Sequence, residues 1–522
     1  MRGNSAADVL SATRYDEILY PAHPYGETHF ARLATLGSLY GMDPAPLAGT
    51  RVLELGCGSG GNLVPMACQY PESEFLGIDL SRRAVELGTA AAAALELGNL
   101  ELRHGDIMEV TAEFGRFDHI IAHGLYSWVP PALRDKVMAI FADHLSPHGI
   151  GFVSYNAYPG SHLRDIVRDV MLYHTRHFDD PNQQIGQARA ILAMLSEASD
   201  PATVHGAVMR DQLARVQRIP DILLFHDDLD RNGTAFLLHD VVTHAQRHGL
   251  QYLCDAVLSR RDRRRYSPAI RDSLAGFPDS QFMAQDQYQD FIDGHGFRRT
   301  LLCRADVRLT RTLAADCVTR FHLASSAMPS SADIDPGDAR SAEFKVAGGG
   351  KLTTDHRLGK AALICLGARW PEALGFAALV REAQALLAAR TDACEENCSE
   401  ANVEGLMRVL FEAASAGHVE LSLHPPRLTT RISTKPLASR LARHQAQGDA
   451  LVTNLHHDVV ELDERMRRLL RLIDGTRTID ELVADLRAAT VDLPLAADEP
   501  DLTRENVEKC LAAAAKLGLL VE

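Results

Sequence analysis

Val52-Leu-Glu-Leu-Gly-Cys-Gly-Ser-Gly-Gly-Asn62 is the stretch on which the fold of this chain turns. An apolar run of strand character stops at glycines, and a helix-forming stretch follows. Glycines at 56, 58 and 60 let the backbone approach a ligand with no Cβ in the way, and the start of the next helix offers free N–H groups. Three alternate glycines exceed the needs of a tight βα turn, so the segment suits a nucleoside-bearing cofactor. Gly56, Gly58 and Gly61 also spell the dinucleotide template G-x-G-x-x-G, and the motif by itself leaves both cofactor classes open. Its surroundings add detail. Glu54 precedes the glycines, Asp79 closes the second strand where it can accept from both ribose hydroxyls, and Gly105-Asp106-Ile107 follows the third strand. There Asp106 can accept from an exocyclic amine while Ile107 covers a purine ring.

Outward from this point the chain alternates short apolar runs with amphipathic stretches, the pattern of βαβ units around a parallel sheet. Strands are expected at 51–55, 74–78, 101–103, 117–122 and 149–154, with helices at 82–97 and 130–145. From Ser161 to about Gln217 the pattern is helical throughout. A helix over 236–248 and strands at 249–254 and 296–303 then have the means to close the sheet. Ser325 to Asp338 is rich in turn formers and reads as a linker. Beyond it a weak repeat pairs Trp370, Asn402-Val-Glu-Gly-Leu and Ala416-Gly-His-Val-Glu-Leu421 with Asp474-Gly, Asn506-Val-Glu-Lys-Cys-Leu and Leu517-Gly-Leu-Leu-Val-Glu522. Each half reads as a winged-helix-like unit whose last helix ends at a glycine. The expected fold class is α/β, a Rossmann-like sheet with a helical insertion and C-terminal helical or winged-helix-like modules. The expected boundaries are a helical cap at 1–50, the cofactor domain at 51–160, the insertion at 161–217, a region completing the sheet at 218–312, and modules at 313–430 and 431–522.

Composition narrows the function classes. The 522 residues are 46% hydrophobic and 24% charged, which supports packed domains and excludes disorder as the main state. Fifty-four Lys and Arg against 69 Asp and Glu give a net charge of -15, so nucleic acid is not the expected partner. Nine scattered cysteines suit a reducing compartment. Asp8, Asp16 and Glu17 interrupt what a secretory signal would keep apolar, and no run approaches the roughly 18 apolar residues of a membrane helix. The expectation is a soluble, cytoplasmic protein without a membrane partner.

With these residues in place, the segment Arg51 to Asn156 resembles class I S-adenosylmethionine-dependent methyltransferases. Tyr20-Pro-Ala-His-Pro-Tyr-Gly-Glu-Thr-His29, Ala122-His-Gly-Leu-Tyr-Ser-Trp-Val-Pro130 and Ser154-Tyr-Asn-Ala-Tyr-Pro-Gly160 resemble the members that carry a methyltransferase regulatory domain. Within that group the layout is similar to bacterial protein-lysine methyltransferases that modify outer-membrane proteins. The resemblance implies S-adenosyl-L-methionine as cofactor and S-adenosyl-L-homocysteine as product. It assigns cofactor binding to Glu54, Gly56, Cys57, Gly58, Gly60, Asn62, Asp79, Leu80, Asp106, Ile107, His123 and Gly124. Many amino methyltransferases carry Asp or Asn followed by Pro-Pro and an aromatic residue after the fourth strand; this chain has His123-Gly-Leu-Tyr126 instead.

The acceptor side is expected at Tyr126, Trp128, Tyr155 and Tyr158, whose ring faces tolerate a cation and whose hydroxyls can orient an amine. Tyr20, Tyr25 and His29 suit either a lid or a plain capping helix. A nitrogen acceptor is expected, foremost protein lysine side chains; the rivals are a small-molecule acceptor and a non-catalytic assembly module that merely binds the cofactor. A homodimer is a family-level expectation. No metal centre is expected: His226, Asp227, Asp228, His239 and Asp240 match no compact zinc or calcium spacing, and Cys394 and Cys398 lack partners. The basic run Ser259 to Tyr266 has the charge to dock an acidic protein segment or RNA, but reads foremost as a solvated helix with its arginines paired to carboxylates.

Overall fold

A computed structural model of the protein describes residues 16, 18–389, 400–448, 450–492 and 502–521. Asp8, Glu17, Cys394 and Cys398 lie outside the described residues. The stretch quoted above opens the central sheet. β1 (Arg51–Leu55) pairs in parallel with β2 (Glu74–Asp79), and β2 pairs with β3 (Leu100–His104). On its other side β1 pairs with β4 (Phe117–Ala122), which pairs with β5 (Leu145–Ala157). A two-residue β6 (Ala235–Phe236) joins the end of β5. β7 (Leu250–Asp255) and β8 (Phe297–Arg304) then complete the order β3-β2-β1-β4-β5-β8-β7. β8 runs antiparallel to both β5 and β7, so the far edge closes by antiparallel pairing.

Both faces of the sheet are buried, as a parallel sheet requires. On one face Val52, Ile121 and Phe152 pack with Phe30, Leu33 and Met66 of the helices Phe30–Leu39 and Leu63–Gln69. On the other face Leu53, Ile120 and Val153 pack with Val137 and Phe141 of the helix Pro131–His144 and with Ala245 of the helix Leu238–Arg247. Strand order reverses at β1, with β2 to one side and β4 to the other, which opens a crevice beyond their C-terminal ends.

Three helices, Ser161–Thr175, Pro181–Ala198 and Val204–Arg218, form the inserted layer around their own core of Val167, Met171, Ile185, Leu192 and Met209. The stretch 325–338 is not a linker. Ser325 and Ala327 are fully buried, and Met328–Pro329 pairs as an edge strand with Ala342–Lys345. Turn formers there bend the chain between strands that pack on the helix Arg357–Arg369, whose Leu358, Leu363 and Leu366 are buried.

The two repeat halves follow one local plan. Helices Glu400–Ser415 and Arg504–Lys516 each stop at a glycine with positive φ, Gly417 at 75° and Gly518 at 69°, the left-handed position that ends helices. The chain then turns into the strand Glu420–Ser422 in one half and into a bridge between Leu520 and Ala438 in the other. The C-terminal half adds a two-stranded wing, Leu451–Thr453 with Val459–Glu461. Its buried core contains Met466, Leu469, Leu482, Leu486 and Leu511.

Candidate active site

The turn after β1 is held by hydrogen bonds from both sides. Gly56 N–H donates to Ile78 O at 2.8 Å, and Gly58 N–H donates to Asp79 Oδ2 at 2.7 Å. Gly56, Gly58 and Gly60 all have positive φ, 73°, 55° and 72°, which only glycine adopts without strain. A Cβ on Gly58 or on Gly124 would meet nothing within 4 Å, so both face open space, whereas one on Gly60 would strike Leu102 at 2.9 Å. The glycines at 58 and 124 thus border the crevice and Gly60 serves packing against β3.

Asp79 stands at the end of β2 with its other oxygen accepting from Ser81 N–H at 2.8 Å. Burial raises its carboxyl above the ordinary value. Each oxygen keeps a second lone pair, so a diol can be received without releasing the turn. Leu80 beside it is half-buried. Asp106 caps the short turn Ile107–Glu109 by accepting from Met108 N–H at 2.9 Å, and Ile107 is buried beneath it. The Cys57 side chain points away from the crevice: a Cβ on Gly77 would lie 2.6 Å from its sulfur. Only its backbone remains for ligand contact.

Glu54 is fully enclosed beneath the turn. Its Oε1 accepts from Asn62 Nδ2 at 3.0 Å, and its Oε2 has no hydrogen-bond partner. Burial pushes its carboxyl up to about 8. A buried carboxylate oxygen without a donor is costly alone, so it fits a ligand that brings a cationic amine. Asn62 Oδ1 is the hub of the region. It accepts from Tyr25 N–H at 3.2 Å, from Thr28 Oγ1 at 3.0 Å and from His457 Nε2 at 2.8 Å. His457 belongs to the C-terminal module, 395 positions away, is 1% exposed, and holds φ at 65°, a conformation uncommon outside glycine. No local signal in the sequence marks it.

The N-terminal segment lies over this turn, with Ala22 against Gly61 and the Tyr25 ring 4.1 Å from the His123 ring. The Tyr25 hydroxyl is within electrostatic reach of Glu54 and Asp227. His123 and Gly124 are fixed by one side chain, Ser154, whose Oγ accepts from Gly124 N–H at 2.8 Å and lies 3.0 Å from His123 Nδ1. Burial lowers His123 to about 4, so the ring is neutral at pH 7. Asp227, held in a π-helical turn over Leu224–Asp228, is lifted to about 6 by burial. His29 Nδ1 accepts from Ala31 N–H and caps the helix Phe30–Leu39.

Two of the aromatic residues expected at the acceptor side point elsewhere. Tyr155 is 1% exposed and its hydroxyl pairs with Thr300 Oγ1 at 2.9 Å, because odd-numbered positions of β5 face the helix layer with Val153. Tyr126 is 2% exposed, its oxygen lies 2.7 Å from His244 Nδ1, and burial raises it to about 12. Tyr158 stacks on His162 at 4.0 Å and donates to Asp165 at 3.3 Å, so its face is already covered. Trp128 is half-buried, with its ring against Gly233 beside Arg168. Sequence reading missed Ser154 and passed over Asp227 as a metal candidate. The neighbouring Asp228 is paired with Arg164 at 2.8 Å and Arg215 at 2.9 Å. The basic run is not a solvated helix: it makes a short, half-buried 3-10 turn over Leu258–Arg261, where Arg260 pairs with Asp290 at 2.6 Å while Arg261 donates to the neutral Tyr40 hydroxyl at 2.8 Å.

Comparison with known proteins meets this geometry. Residues 52–149 match a methyltransferase domain, 220–304 a family described as a predicted methyltransferase regulatory domain, and 434–519 the PKMT C-terminal winged helix domain. RP789, an uncharacterized protein of Rickettsia prowazekii, is 30% identical over 480 residues, 90% of this chain and 85% of that one. The chain belongs to the S-adenosylmethionine-dependent methyltransferases that carry a regulatory domain and a PKMT winged helix. The structure of PKMT2 from Rickettsia typhi is similar to this methyltransferase with a TM-score of 0.86 at 26% identity, covering 96% of this chain and 100% of that one. The complex of PKMT2 with AdoHcy gives 0.85 at 25% identity over the same shares. This methyltransferase therefore takes S-adenosyl-L-methionine as cofactor and releases S-adenosyl-L-homocysteine. The open glycines and the donorless Glu54 oxygen fit that group. Among the described residues no helix is long and apolar enough to cross a membrane.

Proposed function

We propose that this methyltransferase modifies lysine side chains of protein substrates, acting in the cytoplasm. The observation that carries the reading is the similarity to PKMT2 across nearly the whole chain, winged helix included. A second support is physical. The winged-helix module is tied to the cofactor turn through His457 and Asn62, so the C-terminal module is built into the site.

In this reading Gly56, Gly58 and Gly124 border the cofactor, Asp79 receives the ribose hydroxyls, Asp106 and Ile107 receive the adenine, and Glu54 holds the amine of the methionine portion. The cofactor supplies an electrophilic methyl group when bound. The chain must then present a neutral amine in line with it, and positioning provides much of the rate. A lysine with a pKa near 10.4 is neutral in about one molecule in a few thousand at pH 7, a deficit of roughly 4 to 5 kcal/mol. For the proton we propose Asp227, which is hydrogen-bonded to Tyr20 and within electrostatic reach of Tyr25; a carboxyl held at about 6 can take the amine's proton near neutral pH. Neutral His123 adds no positive charge to that wall.

Incubation of a cell lysate with the enzyme and methyl-labelled cofactor tests the reading. Label is expected on protein, at lysine after hydrolysis. Label confined to extractable metabolites would support the small-molecule reading, and no label at all would support a cofactor-binding assembly module.

A further inference from the structure

Outside the cofactor crevice, the described residues gather one set of metal-ligating side chains. His244 lies in the helix Leu238–Arg247 and His248 caps its end, so the two stand one turn apart on the same face. Asp135 faces them from the helix Pro131–His144. Both Nε2 atoms aim at a single carboxylate oxygen, Asp135 Oδ1, at 3.2 Å from His244 and 2.9 Å from His248. The three ligand atoms lie within 4.8 Å of one another. Atoms so rich in lone pairs converge only around shared protons or a cation. Two imidazoles and a carboxylate are a donor set that zinc and its first-row neighbours favour.

The outer partner fits as well. The Tyr126 oxygen lies 2.7 Å from His244 Nδ1. With Nδ1 protonated and donating to Tyr126, Nε2 keeps its lone pair for a metal, and partners of this kind fix the tautomer of ligating histidines. The histidine side chains are 18% and 19% exposed and Asp135 is 64% exposed, so an ion has an entry path and room for a water.

We propose that Asp135, His244 and His248 bind one divalent transition-metal ion of the zinc class, with an open fourth position for water. Bond lengths of about 2.0–2.1 Å place tetrahedral ligands about 3.4 Å apart, which a rotation of the exposed Asp135 side chain achieves. Binding replaces the hydrogen bonds to Asp135 with two nitrogen–metal bonds and one oxygen–metal bond, and displaced Nε2 protons move to Nδ1 or to solvent. The ion ties the helix after β4 to the region matched by the regulatory-domain family. It also holds Tyr126 behind the crevice. The inference does not depend on the identity of the methyl acceptor.

The test uses tag-free, full-length protein stripped with chelator and titrated with Zn²⁺ against a chromophoric competitor, with Co²⁺ as spectroscopic probe. One Zn²⁺ per chain is expected, bound at least tenfold more weakly by His248→Gln and by Asp135→Asn. The Co²⁺ form is expected to show ligand-field bands without a thiolate charge-transfer band. In chelator both variants are expected to unfold at the wild-type temperature, with Zn²⁺ raising only the wild-type midpoint; should His248→Gln fail to fold, the exposed Asp135→Asn decides. Absence of stoichiometric binding, equal binding by wild type and variants, or a thiolate band would overturn the proposal.

Discussion

Replacing Glu54 by Gln separates what the buried carboxyl does for stability from what it does for the cofactor. In the ligand-free protein burial holds this group at about 8, against an ordinary value of 4.5. The folded state therefore binds the proton more tightly than the unfolded chain. Stability associated with Glu54 is full below the ordinary value and is lost as pH rises toward 8. At ~1.4 kcal/mol per pH unit, the wild type loses about 3.5 kcal/mol between pH 5 and pH 8 through this residue alone. Glu54→Gln keeps the shape and an acceptor for Asn62 but has no such dependence. Its amide leaves a donor where Oε2 has no partner, a fixed cost of about 1–3 kcal/mol. The variant should thus be the less stable protein at pH 5 and the more stable one at pH 8, readable as crossing curves of denaturation midpoint against pH. Titration with S-adenosylhomocysteine supplies the second arm. Wild-type affinity should rise toward pH 8, by up to about tenfold per unit, because the cationic amine selects ionised Glu54. The variant should bind weakly with a flat profile. Parallel stability curves, or identical affinity profiles, would show that Glu54 neither carries the burial cost nor meets the ligand.

Three further outcomes follow from the same geometry. Asp79→Ala removes both the ribose acceptor and the support of Gly58 N–H, and should weaken S-adenosylhomocysteine binding by tenfold or more in calorimetry while far-UV dichroism stays unchanged. Trp128→Ala should lower kcat more than cofactor affinity; equal losses would move it to the cofactor wall. Asp227→Asn should cut kcat by about 10²–10⁴ and remove the acidic limb of the pH–rate profile near pH 6, and a retained limb would exclude Asp227 as proton acceptor.

Much of the sheet was legible because its signals are local. The strand preceding Gly56 ends where its apolar run ends, and β4 follows Phe117 to Ala122 as its composition directs. That β7 and β8 could close the sheet was legible for the same reason, whereas their antiparallel direction was not. The acceptor side was not, although one signal was available. Side chains alternate along β5, and the parity that buries Phe152 and Val153 on opposite faces places Tyr155 with the helix layer and Ser154 with the crevice. Aromatic content drew attention to the wrong parity. The stretch 325–338 was misread because turn formers mark strand ends as readily as linkers. Asp135 and His457 are beyond any local reading, since their partners are 109 and 395 positions away.

The tie from His457 to Asn62 also orders events in time. A ribosome making this chain finishes the glycine turn long before it makes the histidine that locks the turn's hub, 395 positions later. Until that ring arrives, Asn62 holds Glu54, Tyr25 and Thr28 but lacks the fourth partner that ties it to the winged helix. The last tie to the cofactor turn is therefore made only once the C-terminal module has been synthesised and folded.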